Sequence, residues 1–230
     1  MSKISCLDQF YDLLDSLEEK IGGKLRLGDC HGRMDWPERG VYFLFEPVEM
    51  RNLKPSSSRV VRVGTHALKT NSRTTLWKRL SQHRGTKSSG GGNHRGSIFR
   101  LLVGDAIGQQ NPKLMPDSWG RGQTAPKAIR DNEHPHEVRV SGYLADMTLL
   151  FVSVPDAAGS NSMRGIIERN AIALLSGYRE SSPDKPGSNW LGNHSTREKV
   201  KRSGLWNNKH VDENYDPAFL NHFGKLIKAM

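Results

Sequence analysis

The chain has 230 residues, and its 34 Lys and Arg against 24 Asp and Glu give a formal net charge of +10 at neutral pH. No apolar run approaches the roughly 18 residues that a membrane span requires, and the two cysteines, Cys6 and Cys30, form neither a disulfide framework nor a Cys-x-x-Cys zinc site. We therefore expect a soluble, cytoplasmic protein with reduced thiols. Its excess positive charge favours a polyanionic partner, and nucleic acid is the first candidate.

The first predicted element is an amphipathic helix over residues 5–21, which ends near Gly22-Gly23. Its apolar residues recur at intervals of three and four, with acidic residues between them. This stripe predicts packing on the domain, although a dimer contact would give the same pattern. Residues 25–38 are polar and irregular and predict no element.

Two strands and a second helix come next. Residues 40–46 are nearly all apolar, and residues 59–64 form another short β-type run after a gap rich in Pro and Ser. The period then changes from 2 to 3.6, so residues 74–83 predict a helix capped by a Thr. On this helix Arg79 and His83 lie at the margin of the apolar face. Solvated cations would normally occupy the opposite face, so their position indicates a cleft.

Residues 85–96 form a loop rich in Gly and Ser that also carries Lys87, His94 and Arg95. A solvated linker would look similar. Because the loop directly follows the helix with Arg79 and His83, its charge favours phosphate contacts. Helical spacing resumes over residues 97–107.

The next stretch, residues 108–135, predicts an insertion or a long loop, because Gly and Pro are frequent and aliphatic residues are few. Its cations could face DNA or simply be solvated. Residues 137–144 fit a helix or a strand, and we favour a helix. Residues 148–154 predict a buried strand, the third of the sheet.

Residues 161–178 predict a helix that is apolar on most sides. On a helical wheel Glu168 falls between Leu175 and Ile172, inside the apolar arc. Burying a carboxylate without a partner is costly, so Glu168 should meet a metal ion or form an internal ion pair with an Arg. After a turn-rich segment, Trp190 and Leu191 are expected to pack in the core. Asn189 would then be positioned as a polar group near the site. The tail predicts a helix that opens at Asp216-Pro217.

These elements together resemble the GIY-YIG nuclease family. The matching segments are Gly40-Val41-Tyr42 for the first motif, Arg62-Val63-Gly64 for the second, the helix with Arg79 and His83, then Glu168, and Ser188-Asn189-Trp190-Leu191-Gly192. The resemblance covers residues 38–192, and Arg62 stands where the family usually has its second tyrosine.

The resemblance implies a small α/β (α+β) fold with a three-stranded, mostly antiparallel sheet flanked by helices. We expect the nuclease domain at residues 38–192, with an insertion at about 108–135. Residues 1–37 and 193–230 would then be N- and C-terminal helical extensions.

The resemblance also implies a metal-dependent, restriction-like endonuclease that hydrolyses double-stranded DNA. Glu168 would hold one Mg²⁺ or Mn²⁺ ion, and Arg79 would brace the phosphate. Tyr42 is the candidate general base, and His83 would accept its proton or orient it. Asn189 completes the catalytic set. The expected nucleic-acid contacts are Arg62, His66, Lys87, His94 and Arg95.

Three alternatives remain at this point. A catalytically inactive nucleic-acid-binding module is kept open by Arg62, because a guanidinium cannot act as a base. An RNA-directed nuclease would differ only in its substrate, and a small-molecule enzyme would not require so basic a chain. Cutting both DNA strands with one active site favours a homodimer or sequential nicking.

Overall fold

The computed structural model describes residues 2–230, which form one antiparallel sheet with helices on both faces. The strands are β1 (Leu25–Arg26), β2 (Gly40–Met50), β3 (Ser58–Gly64) and β4 (Thr148–Ser153), in the spatial order β1-β4-β2-β3. The α/β class and the three long strands predicted from the sequence are confirmed. The fourth strand, β1, is an addition: it is only two residues long, so no alternating pattern could reveal it.

Seven α-helices surround the sheet within the described part of the chain. They are α1 (Lys3–Ile21), α2 (Leu76–Arg84), α3 (Ile98–Gln110), α4 (Lys127–Ala145), α5 (Met163–Leu175), α6 (Glu198–Ser203) and α7 (Phe219–Lys228). Side-chain oxygens of Ser2, Thr75, Ser97 and Ser162 cap the first turns of α1, α2, α3 and α5. None of the helices in residues 2–230 is long and apolar enough to cross a membrane.

Strand β2 divides the core into two layers, because successive side chains point to opposite faces of the sheet. Val41, Phe43 and Phe45 join the layer formed with α1, α5 and α7. Tyr42 and Leu44 join the opposite layer, formed with α2, α3 and α4. Both faces of the strand are therefore covered, which explains why residues 40–46 are a continuous apolar run.

The terminal helices α1 and α7 pack against each other and against the sheet. The Phe10 ring of α1 lies 5.8 Å from Phe223 of α7 and 5.7 Å from Phe43 of β2, measured between ring centroids. The apolar stripes of both helices are thus used inside the protomer, so the stripe of α1 is not available for the dimer contact considered above, and that of α7 is not available for one either. The domain boundaries after residues 37 and 192 stay a prediction.

Helix α4 begins within the stretch predicted to be an insertion. Residues 127–135 are helical, and buried ion pairs hold the first part of α4: Glu133 binds Arg95, and Glu137 binds Arg100. The last part of α4 joins the apolar core through Val140 and Leu144. An apolar pattern could not reveal the first part of the helix, which is docked through ion pairs. Residues 111–126 lie outside α-helices and strands, apart from a short 3₁₀ turn at Pro112–Leu114.

A buried carboxylate ties strand β2 to the C-terminal segment. Glu46 Oε1 accepts hydrogen bonds from the indole nitrogens of Trp190, at 3.1 Å, and Trp206, at 2.6 Å. Glu46 Oε2 accepts one from the Tyr143 hydroxyl at 2.7 Å. Burial raises the pKa of Glu46, and the three donated hydrogen bonds oppose that rise.

We predict that Glu46→Ala destabilises the protein by about 3 kcal/mol or more, because it leaves three buried donors without an acceptor. Urea unfolding measures the change. Glu198→Ala, at an exposed position on α6, is the matched control and should stay within about 0.5 kcal/mol of wild type. Equal stabilities for the two variants would contradict this role of Glu46.

Candidate active-site cleft

A cleft of about 600 Å³ opens between β3, α2, α5 and the segment that follows Trp206. Of the residues singled out in the sequence, it brings together Arg62, His66, Arg79 and Glu168. Segment 207–210, which contains Asn207, Asn208, Lys209 and His210, forms another part of its lining.

Glu168 extends from α5 into this cleft and forms no ion pair among residues 2–230. Its Oε1 accepts a hydrogen bond from the Thr65 backbone N–H at 3.1 Å, and its Oε2 accepts none from the described residues. Burial raises the pKa of Glu168, while the positive charges of Arg62 and His210 and the hydrogen bond from Thr65 oppose the rise. The internal Arg–Glu ion pair considered as an alternative is not observed in the structure.

Two arginines border the cleft without a carboxylate partner in the described chain. Arg79 is half-buried and donates to Gln82 Oε1 at 3.1 Å. Arg62 donates to the Trp206 carbonyl and lies 4.5 Å above the Phe99 ring. Arg62 is therefore fixed in place, whereas Arg79 keeps most of its donors free. The cleft combines one carboxylate with an excess of positive charge.

Tyr42 and His83 form the predicted pair, but both are completely buried and neither lines the cleft. The Tyr42 hydroxyl lies 2.7 Å from His83 Nε2, and His83 Nδ1 lies 2.7 Å from Ser97 Oγ. Burial lowers the pKa of His83 well below its ordinary value, and the nearby charges of Arg79 and Arg62 lower it further. His83 is therefore neutral at neutral pH.

The glycine of the second motif makes room for Tyr42. Tyr42 and Gly64 face each other across β2 and β3, and a Cβ on Gly64 would lie 2.2 Å from the Tyr42 hydroxyl oxygen. That distance is far below van der Waals contact. The phenol thus lies directly against the Gly64 backbone, next to Thr65, which lines the cleft.

Asn189 is not brought to the cleft. The adjacent Trp190 and Leu191 are buried, as predicted, but the turn directs Asn189 to the surface, where it is exposed. Two other asparagines, Asn207 and Asn208, line the cleft, and Asn207 is the buried one. The Asn207 side chain accepts a hydrogen bond from Val63 N at 3.2 Å and donates one to Val63 O at 2.8 Å, so it pairs with the edge of β3. The available signal was that Asn207 directly follows a second buried tryptophan, Trp206.

The basic loop differs from the prediction at His94 and Arg95. His94 is buried: Nδ1 lies 2.9 Å from Glu137 Oε1, and the ring lies 3.9 Å from the Trp119 ring. Arg95 forms two hydrogen bonds to the Glu133 carboxylate, at 2.5 and 2.8 Å. Both side chains are already bound within the protein, so they are not free to contact a phosphate. Lys87 is exposed, as a phosphate-binding residue would have to be.

His66 lines the cleft but is almost fully buried, and its Nε2 lies 3.2 Å from the Glu38 carbonyl. Burial lowers the pKa of His66 to about 4, with a further contribution from the positive charge of Arg164. The ring is thus neutral at neutral pH. Any contribution of His66 to nucleic-acid binding would be a hydrogen bond and not a charge.

The cleft also contains residues that the sequence reasoning missed. Asn208 and Lys209 are exposed, line the cleft and have no side-chain partner among residues 2–230. His210 lies beside them, with Nδ1 2.7 Å from Glu213 Oε1. Segment 207–210 thus contributes a lysine to the cleft that could bind an anion. Its Asn-Asn-Lys-His composition was the only sequence signal.

A divalent ion in this cleft would have one protein ligand. No group of three or more His, Cys, Asp or Glu side chains within residues 2–230 is arranged to hold a metal. Glu168, with an oxygen free of hydrogen bonds and open space in front of it, nevertheless fits a Mg²⁺ ion, which commonly keeps several waters and takes one or two carboxylates.

A cleft of this kind, with a free carboxylate and unpaired arginines beside an antiparallel sheet, is suited to phosphate chemistry. A family model described as GIY-YIG domain matches residues 1–230, which is the whole chain. The protein therefore belongs to the GIY-YIG family, whose members are generally nucleases. No curated protein and no solved structure matches the chain significantly.

We predict that Gly64→Ala displaces the Tyr42 ring and costs about 1–3 kcal/mol of stability, because the added methyl group overlaps the phenol. Gly142→Ala on α4 is the control: its Cβ would meet nothing within 4 Å, and the change should be neutral or slightly stabilising. Thermal unfolding of both variants measures the difference. A Gly64→Ala protein as stable as wild type would show that Tyr42 does not lie against Gly64.

Proposed function

We propose that the protein is a metal-dependent endonuclease that hydrolyses phosphodiester bonds in double-stranded DNA in a restriction-like role. One observation carries the proposal: Glu168 extends into a cleft bordered by Arg62 and Arg79 and pairs with neither. A glutamate with a purely structural role would be expected to pair with one of these cations, since an unpaired buried carboxylate is costly.

Glu168 would hold Mg²⁺ or Mn²⁺ through the oxygen that lacks a hydrogen bond. When bound, such an ion supplies positive charge to the phosphoryl oxygens and favours ionisation of water. Thr65 N–H holds the other oxygen and so fixes the direction of the carboxylate. One carboxylate fits a site that completes its coordination with water and substrate oxygens.

The arginines would bind and stabilise the phosphate. The guanidinium of Arg79 presents a planar set of donors that matches phosphate oxygens, and its protein partners are uncharged. Arg62 is held by Trp206 and Phe99 and provides a fixed positive charge. These cations would offset the negative charge that develops on the phosphoryl group as the water attacks.

Tyr42 is the proposed general base. In its phenolate form it would take a proton from the attacking water, whose oxygen bonds to phosphorus as the bond to the leaving oxygen breaks. Since Tyr42 is buried behind Gly64, the water would have to approach through the Gly64–Thr65 side of the cleft.

A duplex substrate is supported by the charge of the chain and by segment 207–210. Lys209 and Asn208 are exposed next to Arg79 in the cleft lining, so a phosphate backbone could contact them together. A restriction-like role is supported by the packing of residues 2–230: both core layers lie on the faces of one sheet, and no separate DNA-reading module stands apart from them in this part of the chain. Concerted cutting of both strands would need a homodimer that uses a surface other than the apolar faces of α1 and α7.

The second candidate function is a catalytically inactive or RNA-directed nucleic-acid-binding protein. It is favoured by two observations: Arg62 replaces the family's second tyrosine, and Tyr42 is completely buried. Such a protein would bind nucleic acid with wild-type affinity after loss of Glu168 and would cut no DNA.

We predict that Glu168→Gln reduces DNA cleavage by at least about 100-fold, because the shape of the side chain is kept and its charge is lost. Folding and DNA affinity should persist, since no ion pair is broken. Cleavage in Mg²⁺, DNA affinity and thermal unfolding are measured on one preparation. A stable Glu168→Gln enzyme that cuts at the wild-type rate would remove Glu168 from the site.

We also predict that Lys209→Ala weakens DNA binding and lowers the slope of log affinity against log salt by about 0.9, as expected for one lost phosphate contact. The control is Lys20→Ala, an exposed lysine on α1 that does not line the cleft. Filter binding or fluorescence anisotropy at several salt concentrations gives both slopes. Identical slopes for the two variants would exclude Lys209 as a phosphate contact.

A further inference from the structure

A second depression lies beside the cleft and shares a segment of chain with it. It encloses about 580 Å³ and is lined by Arg39, Asn71, Ser72, Arg73, Ala157 and Ala158, and we call it the arginine pocket. Arg73 lines this pocket, and the next residue, Thr74, lines the cleft. Burial is the main cause of the lowered pKa of His66 in the cleft, and the charges of Arg164, Arg39 and Arg79 add to it. Cations of the pocket and of the cleft therefore act on the same residue.

One side of the arginine pocket is a turn whose polar side chains have no partners. Ser72 N donates to the Lys69 carbonyl at 3.1 Å, and Asn71 has a φ of 62°, a left-handed conformation that asparagine tolerates. Arg73 and Asn71 are exposed, and neither side chain forms a hydrogen bond or an ion pair within residues 2–230. Lys69 is also exposed and unpaired in this part of the chain. The turn thus carries two positive charges that no carboxylate of the described chain pairs with.

Arg39 provides a further positive charge, and its contacts hold it in place. The Arg39 side chain is 23% exposed, and its Nη2 lies 3.4 Å from the carboxylate of Glu38, which is itself exposed. Its Nη1 donates to the Asp156 carbonyl. The Arg39 Nε is buried and donates to no acceptor within residues 2–230. Arg39 is therefore fixed but keeps part of its donor set unused.

Arg164 is completely buried next to the pocket. Its Nη2 donates to the carbonyls of Ala67 and Ala157, at 3.2 and 3.4 Å. Its Nε lies 3.2 Å from Asp156 Oδ1, but neither Nε nor Nη1 makes a hydrogen bond within the described chain. Burial lowers the pKa of Arg164, Asp156 opposes the fall, and the charge of Arg39 adds to it. Burying a guanidinium with unused donors is costly, and a nearby anion would offset that cost.

The charges around the arginine pocket do not balance. The contacts described above involve four cations and only two carboxylates, those of Glu38 and Asp156. Guanidinium groups match phosphate oxygens in geometry. Amide and hydroxyl groups, such as those of Asn71 and Ser72, commonly bind phosphate oxygens as well. The pocket is therefore suited to a phosphate group.

We infer that the arginine pocket binds a phosphodiester group of the same nucleic-acid backbone that enters the cleft. Arg73 and Asn71 contact this phosphate, and Arg39 supplies a fixed positive charge beside them. The inference rests on the proposed function and adds a second phosphate site to it. Each DNA strand carries one negative charge per about 3.4 Å of helix axis, so a strand with one phosphate at Arg79 brings further phosphates past the neighbouring surface. The pocket positions the backbone and takes no part in bond cleavage.

Arg73→Ala tests the pocket, because an exposed side chain without a partner can be removed at little cost in stability. Binding of a fluorescent DNA duplex is measured by anisotropy in EDTA at several salt concentrations. We expect Arg73→Ala to bind about fivefold more weakly and to lower the slope of log affinity against log salt by about 0.9. Arg73→Lys keeps the charge and should keep the slope, and Lys20→Ala on α1 should match wild type. Equal slopes for Arg73→Ala and Lys20→Ala overturn the inference, as does a wild type that binds no DNA.

Inorganic phosphate distinguishes a site for a nucleic-acid backbone from a site for a free anion. Thermal unfolding of wild type and Arg73→Ala is measured in millimolar phosphate and in chloride of equal ionic strength. We expect the same Tm in both salts for each protein, because an isolated phosphate lacks the contacts that the rest of the strand makes. A rise in the Tm of wild type that Arg73→Ala loses would assign the pocket to a free anion and overturn the inference.

Cleavage kinetics in Mg²⁺ separate this inference from the proposed function. We expect Arg73→Ala to raise KM about fivefold and to leave kcat within about twofold, since the pocket binds substrate and transition state alike. A fall in kcat with an unchanged KM would place Arg73 in the reaction and overturn the inference. If wild type cuts no DNA but Arg73→Ala shows the lower salt slope in binding, the proposed function fails and the phosphate site stands.

Discussion

The site depends on a carboxylate that lies partly buried without a counter-ion. Desolvation raises the pKa of Glu168, and Arg62, His210 and Arg79 stabilise its charge without pairing with it. The contacts that prevent collapse into ion pairs are specific: Arg62 is held by the Trp206 carbonyl and the Phe99 ring, and Arg79 by Gln82. The structure thus keeps positive and negative groups apart in one cleft, as binding a cation and a phosphate together would require.

Contacts made by strands β2 and β3 hold the residues around the cleft in place. Tyr42 lies across Gly64 on the neighbouring strand, and the side chain of Asn207 bonds both backbone groups of Val63. Glu46 fixes Trp190 and Trp206, and Trp206 in turn leads into segment 207–210. The C-terminal part of the chain is therefore necessary for the cleft, since it covers the edge of β3 and supplies Lys209.

Residues 40–46 and 59–64 could be predicted from the sequence because they are short runs of β-type apolar residues, and helix α2 because its apolar residues recur with a helical period. Glu168 could be predicted because it interrupts an apolar helix. The other features of the site could not be predicted, because they depend on contacts between segments that are far apart in the sequence. His94 and Arg95 have the composition of phosphate-binding residues, but acidic residues of α4, about 40 positions later, bind both. Asn189 and Asn207 each adjoin a buried tryptophan, so only the path of the chain around β3 shows which of them lines the cleft. Ser97 looks like an ordinary helix cap until His83 is seen beside it.

We propose that the cleft around Glu168 cuts DNA with the help of a divalent ion. The most direct test is to incubate the purified protein with supercoiled plasmid in Mg²⁺ and, in parallel, in EDTA. We expect nicked or linear plasmid in Mg²⁺ and intact plasmid in EDTA. Plasmid that stays supercoiled in Mg²⁺ while the protein binds it, or equal cleavage in EDTA, would contradict the claim.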